Sequence, residues 1–176
     1  MKLINKLRAN YNLANVLIRI LFVLAYVLYS WQTSLSVAAL MLGQWTGVSN
    51  YSVWLSIMTS AVLGVIIMLL LPLVTNVFLH YSRFYTVPRA EYSLIAMLFF
   101  ALYFAVCGAL KLINLATPIL LIWGEVIFPV VVSLGCVIWF YHVTSNLYFN
   151  NQTKPFYFRN LATTYAILII VAEVLL

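Results

Sequence analysis

The chain has 176 residues, of which 66% are hydrophobic and 7% charged, and its net charge is +6. Water-soluble domains carry about a quarter charged residues, so this composition excludes a soluble globular domain and leaves no room for a sizeable catalytic module outside the membrane. A bilayer core of ~30 Å takes about 20 apolar residues per helix, so the length allows roughly five or six crossings.

The sequence therefore predicts an all-α integral membrane bundle, one multi-pass domain over residues 1–176 with the lipid bilayer as its immediate partner. No nucleic-acid partner is implied by the positive charge, because cytoplasmic loops of membrane proteins collect Lys and Arg. Cys107 and Cys136 lie in apolar stretches without CxxC spacing and read as small buried hydrophobes.

In chain order, Lys2, Lys6 and Arg8 alternate with Leu3, Ile4 and Leu7, a basic amphipathic lead-in suited to an anionic membrane surface. The first helix is expected over 13–35. Its apolar run is too long for a cleaved signal peptide and lacks a clean A-x-A site. Arg19, inside this run, reads as snorkelling to the headgroups. No charged residue occurs between Ile20 and Ser82. The neutral polar stretch Gly43–Asn50 reads as a loop with Trp45 at headgroup level, and the sequon Asn50-Tyr51-Ser52 beside it lies too close to the membrane to weigh.

The second helix is expected over 51–79, long enough to tilt, with a kink at Pro72. Ser56, Ser60 and Gly64 form a small-residue stripe at four-residue spacing, suited to close helix packing. A basic loop with Arg83 and Arg89 leads to the third helix, 92–113, where Ala101, Ala105 and Ala109 make a second stripe. After a turn at Asn114–Pro118 the fourth helix covers 119–141, with a kink at Pro129. A loop from His142 to Asn160 precedes a short fifth helix, 158–176. Thr75-Asn76-Val77-Phe78 and Ser145-Asn146-Leu147-Tyr148 resemble each other, as a parallel repeat of helix pairs or as shared membrane-exit chemistry.

With five crossings, one side collects Lys2, Lys6, Arg8, Arg19, Arg83, Arg89, Lys154 and Arg159, leaving Lys111 alone of the 9 basic residues. The positive-inside rule then places the N-terminus in the cytoplasm and the C-terminus outside, with the plasma membrane as the expected location.

Three charges fall toward the outer half of the predicted bundle: Lys111, Glu125 and Glu173. An intramembrane charge must face the bundle, pair or lose its charge. Lys111 and Glu125 flank the turn, ~5 residues apart in depth or about 7 Å of helix rise. They read either as a structural ion pair fastening helices three and four or as a solute or proton site with Glu173 as third member. His80 and His142, at helix ends near Asn76 and Asn146, are too few for a zinc site. Ser133 and Cys136 have no in-membrane His partner in the sequence, which disfavours an intramembrane enzyme. No catalytic, cofactor or metal motif is expected. Two functions remain: an accessory or regulatory subunit that packs against other membrane subunits or its own copies, and a small-solute or ion carrier or transporter component.

Overall fold

The computed structural model describes residues 11–46, 53–116 and 122–175, with side chains described over 11–30, 54–113 and 127–166. The described residues are all-helical, in five helices: α1 Tyr11–Thr46, α2 Val53–Tyr81, α3 Arg89–Ala116, α4 Ile122–Tyr148 and α5 Lys154–Leu175. Four segments are long and apolar enough to cross a membrane: Tyr11–Ser30, Trp54–Tyr81, Arg89–Ile113 and Ile127–Tyr148. Their outward faces are aliphatic, with Leu24, Val62, Leu73 and Ile138 all exposed, as suits helices whose solvent is lipid.

The helices outrun the sequence expectation at most of their ends. α1 has 36 residues, about 54 Å at 1.5 Å per residue, and passes through the expected loop from Gly43 to Thr46. Residues 47–52 and 117–121, with Pro118 of the expected turn, lie outside the described residues. α3 begins at Arg89 rather than Tyr92 because Pro88 starts it: the Tyr92 amide donates to the Pro88 carbonyl at 3.0 Å. Arg89 to Glu91 are then the polar first turn of a helix, where an acidic residue is favourable.

The largest correction is in the expected loop after Tyr141. The helix continues to Tyr148, and α5 starts at Lys154. Thr144 donates its hydroxyl to the Phe140 carbonyl at 2.7 Å and Ser145 donates to that of His142 at 3.2 Å. These polar side chains return their hydrogen bonds to the helix's own backbone, so a loop-like composition is carried by a helix. α2 and α4 run through Pro72 and Pro129.

α3 is the centre of the bundle, packing against α1, α2 and α4; α1 also packs on α2, and α5 joins through α4. Half of the α3 span is buried within the chain, against 6% of the α4 span. Phe22, Ala25, Met97 and Ala101 form the α1–α3 core with Leu71 of α2. The Phe104 ring meets Phe22 and Tyr26 edge-on, at 5.7 and 5.2 Å between centroids.

The small-residue stripes are used inside the chain. Ser56 and Ser60 are fully buried, and Gly64, on the same face of α2, lies against Tyr26 of α1. On α3, Ala101 is buried and Ala105 packs on the same core, but Ala109 is exposed. Gly108 takes the contact instead: a Cβ there would lie 2.9 Å from the backbone of Leu28 and Tyr29. Gly135 of α4 would meet nothing within 4 Å.

A second cluster closes the end where α2 and α4 finish and α3 and α5 begin. Tyr157 of α5 is fully buried, stacked on Phe149 at 4.2 Å and on Tyr141 at 5.7 Å. Its hydroxyl bonds those of Thr144 at 2.7 Å and Tyr92 at 3.1 Å. The α2 end on the same side is a Schellman motif: the Phe84 amide reaches the Leu79 carbonyl at 2.9 Å and that of Arg83 the His80 carbonyl at 3.0 Å. Arg83 holds φ 58°, the left-handed conformation that glycine adopts without cost.

Two predictions test this packing by melting the purified protein in a neutral detergent. Gly108→Ala must part α1 from α3 and should cost about 1–3 kcal/mol, whereas Gly135→Ala should gain about 0.5–1 kcal/mol from helix propensity; equal effects would show that Gly108 makes no close approach. At the α2 cap, Arg83→Gly should exceed Arg83→Ala in stability by about 1 kcal/mol, because both lose the charge and only one relieves the backbone.

Candidate functional site

Of the three outer charges, only Lys111 lies among the described side chains. Lys111 of α3 turns to α1: its Nζ lies 4.0 Å over the centroid of the Tyr29 ring and donates to the Tyr29 carbonyl at 3.4 Å. The ring and the carbonyl both favour the cation. Glu125 and Glu173 lie outside the described side chains. His80 sits edge-on to Tyr85, with 5.8 Å between ring centroids, and the described residues hold no group of three His, Cys, Asp or Glu that could bind a metal. Ser133 donates to the Val130 carbonyl and shares a hydrogen bond with the Tyr165 hydroxyl of α5.

The arrangement with chemical potential lies at the opposite end. A cavity of about 300 Å³ opens between the start of α1, the last turns of α2 and the start of α3, and Tyr11, Asn15, Arg19, Asn76, Arg89 and Ser93 are its polar lining. Pro72, Ala90, Leu94 and Met97 complete the wall. The volume is at the small end of ligand pockets, which run from about 300 to 1,000 Å³.

Each helix supplies its share by helical periodicity. Tyr11, Asn15 and Arg19 recur every four residues along one face of α1; Pro72 and Asn76 do so on α2, as do Arg89, Ser93 and Met97 on α3. The same turns expose aliphatic side chains elsewhere: Leu13, Val16 and Ile20 on α1, Leu69, Leu73 and Val77 on α2. The polar faces converge on the cavity while the apolar faces meet lipid.

Two guanidinium groups face this space, and none of its described lining residues is a carboxylate. Glu91, one turn position beyond Arg89 and Ala90, does not line it. The Arg19 Nε donates to the Asn15 Oδ1 at 2.9 Å, which fixes the side chain and leaves further N–H groups to offer. Arg89 and Ala90 are also the first residues of α3, whose early amides lack intrahelical acceptors and carry the positive end of the helix dipole. Ser93 donates to the Ala90 carbonyl at 3.0 Å. Asn76 has its Oδ1 buried without a hydrogen-bond partner, a state that costs about 1–3 kcal/mol. Chemically, the two guanidinium groups and the first amides of α3 favour an anion, while the Asn76 oxygen calls for a donor.

Sequence reasoning passed over this site. From the sequence, Arg19 reads as a snorkelling side chain, Arg89 as a loop charge and Asn76 as a neighbour of His80. The available signal is the four-residue recurrence of polar residues on α1 (Tyr11, Asn15, Arg19) and at the start of α3 (Arg89, Ser93), with the single Asn76 in the apolar run of α2.

No protein-family model matches the chain, and no curated protein or solved structure is significantly similar to it.

Proposed function

We propose that this is a small integral membrane protein that binds an anionic group in the cavity between α1, α2 and α3, as a binding or carrier component. One observation carries the reading: Arg19 and Arg89 come from two different helices onto one cavity of about 300 Å³. Arginine within a membrane-spanning segment is costly, by roughly 2.5–3.5 kcal/mol near the centre of an inserted helix and less toward its ends. A bound anion offsets that cost, and the guanidinium fork suits carboxylate or phosphate geometry.

The proposal keeps the orientation that the positive-inside rule gives, so the cavity faces the cytoplasm, with the plasma membrane as the location. It moves the binding site away from Lys111, Glu125 and Glu173. The alternative, an accessory subunit packing against other membrane subunits or its own copies, draws less on its small-residue stripes, since Ser56, Ser60, Gly64 and Ala101 are used in packing within the chain.

The test is a thermal melt of the purified protein in neutral detergent, with sodium phosphate replacing sodium chloride at constant ionic strength. A saturable rise in Tm is expected for the natural chain, and the Arg19→Gln/Arg89→Gln double variant should lose it. A rise of equal size in the double variant would overturn the reading, as would no response of the natural chain to phosphate or to a short-chain anionic phospholipid.

A further inference from the structure

We infer that the anion taken by this cavity is the phosphate of an anionic phospholipid in the leaflet that surrounds the first turns of α1, held as a bound lipid between α1, α2 and α3. The inference rests on the anion-binding reading and adds the source of the anion. Phosphate is the shared chemistry of a lipid headgroup and of free inorganic phosphate; two features of the site favour the lipid, and a third is met by either.

The first is depth. From Tyr11 to Arg19 the cavity follows α1 for eight residues, about 12 Å of helix rise. The headgroup layer is only about 5–8 Å thick on each side of the hydrocarbon core. With Tyr11, the first residue of the apolar span, at the level of the headgroups, the cavity runs on into the adjoining hydrocarbon. A lipid phosphate already resides beside this depth, while a soluble anion must leave water to reach it.

The second is the surroundings. Leu13, Val16 and Ile20 beside the α1 lining, and Leu69, Leu73 and Val77 beside the α2 lining, are each more than half exposed. These side chains form an aliphatic surface on both sides of the polar wall, which is where the acyl chains of a lipid held by its headgroup would run. The third is the polarity of the wall itself. Arg19 and Arg89 supply donors for the phosphate, and the orphaned Oδ1 of Asn76 needs a donor in return. A glycerol headgroup carries hydroxyls that meet this need once the Asn76 amide turns toward the cavity, as do the protonated oxygens of inorganic phosphate at neutral pH.

The experiment uses the full chain in nanodiscs of phosphatidylcholine, with or without phosphatidylglycerol, followed by extraction into neutral detergent and native mass spectrometry. About one phosphatidylglycerol per chain should be retained by the natural protein, and its retention should fall by about tenfold or more in Arg19→Gln and in Arg89→Gln, as loss of one charge-assisted contact implies. Arg83→Gln, whose side chain belongs to the α2–α3 turn and not to the cavity, should retain the lipid as the natural protein does. A parallel titration of the natural protein needs no variant: phosphatidylglycerol should raise Tm at concentrations where phosphatidylcholine does not. A Tm rise with inorganic phosphate but none with phosphatidylglycerol would sink the lipid assignment and leave the anion site standing. Equal retention of phosphatidylglycerol by the cavity variants and the natural chain would make it a surface lipid and overturn the inference. No response to either probe would remove both readings.

Discussion

The closest constraint in this bundle is the passage of the α1 backbone over Gly108, where a single added methyl would meet Leu28 and Tyr29 at 2.9 Å. In lipid the apolar surface gains nothing by meeting itself, so helices associate through dispersion at short range and through hydrogen bonds. Contact at one level fixes the level of every other pair along the same two helices. From Gly108 the α1–α3 seam passes through Phe22 and Phe104 to Ile18 and Met97, each far bulkier than the glycine. Beyond these the seam turns polar, and the space between the helices becomes the cavity of Arg19 and Arg89. Tight approach at one end and bulk in the middle leave room at the other.

The seam also explains which parts of the architecture were legible in the residues. Composition and hydropathy locate the spans, because the energetic demand of lipid acts on every residue of a crossing. The Ser56–Ser60–Gly64 face of α2 was legible as a packing face for the same reason. The α3 stripe was read one residue out of register: from Ala101, a step of eight residues turns about 80° past full rotations, while a step of seven turns about −20°. Gly108 therefore shares the Ala101 face, and Ala109 points away. The segment His142–Tyr148 was illegible as helix because its hydroxyl and amide side chains signal a loop until it is known that Thr144 and Ser145 satisfy their own helix. The cavity was illegible because its members come from three segments, and the sequence does not say which polar faces meet.

At one end of the bundle the chain handles buried polarity in two contrasting ways. Around Tyr157 the groups are hydroxyls, each both donor and acceptor. Tyr92, Tyr157 and Thr144 can therefore satisfy one another in a closed row, walled by Phe149 and Tyr141. Such a row holds α3, α4 and α5 together and asks nothing of an outside group.

Arg19 and Arg89 cannot be satisfied in that manner. A guanidinium only donates, so two of them facing one space add their demands for acceptors instead of cancelling them. Asn15 meets one N–H of Arg19, and the early amides of α3 are donors as well. The donor excess belongs to the geometry of the three helices, since each polar stripe follows its helix face to the same place. It is also located where lipid-facing aliphatic residues flank the polar wall, so the acceptor proposed to balance it has to suit a cavity that follows α1 for about 12 Å. A phosphate carried on an acyl-chain anchor meets both conditions at once. Under the proposal, donor excess and depth together, more than the net charge of the chain, set Arg19 apart from a side chain that merely reaches for water.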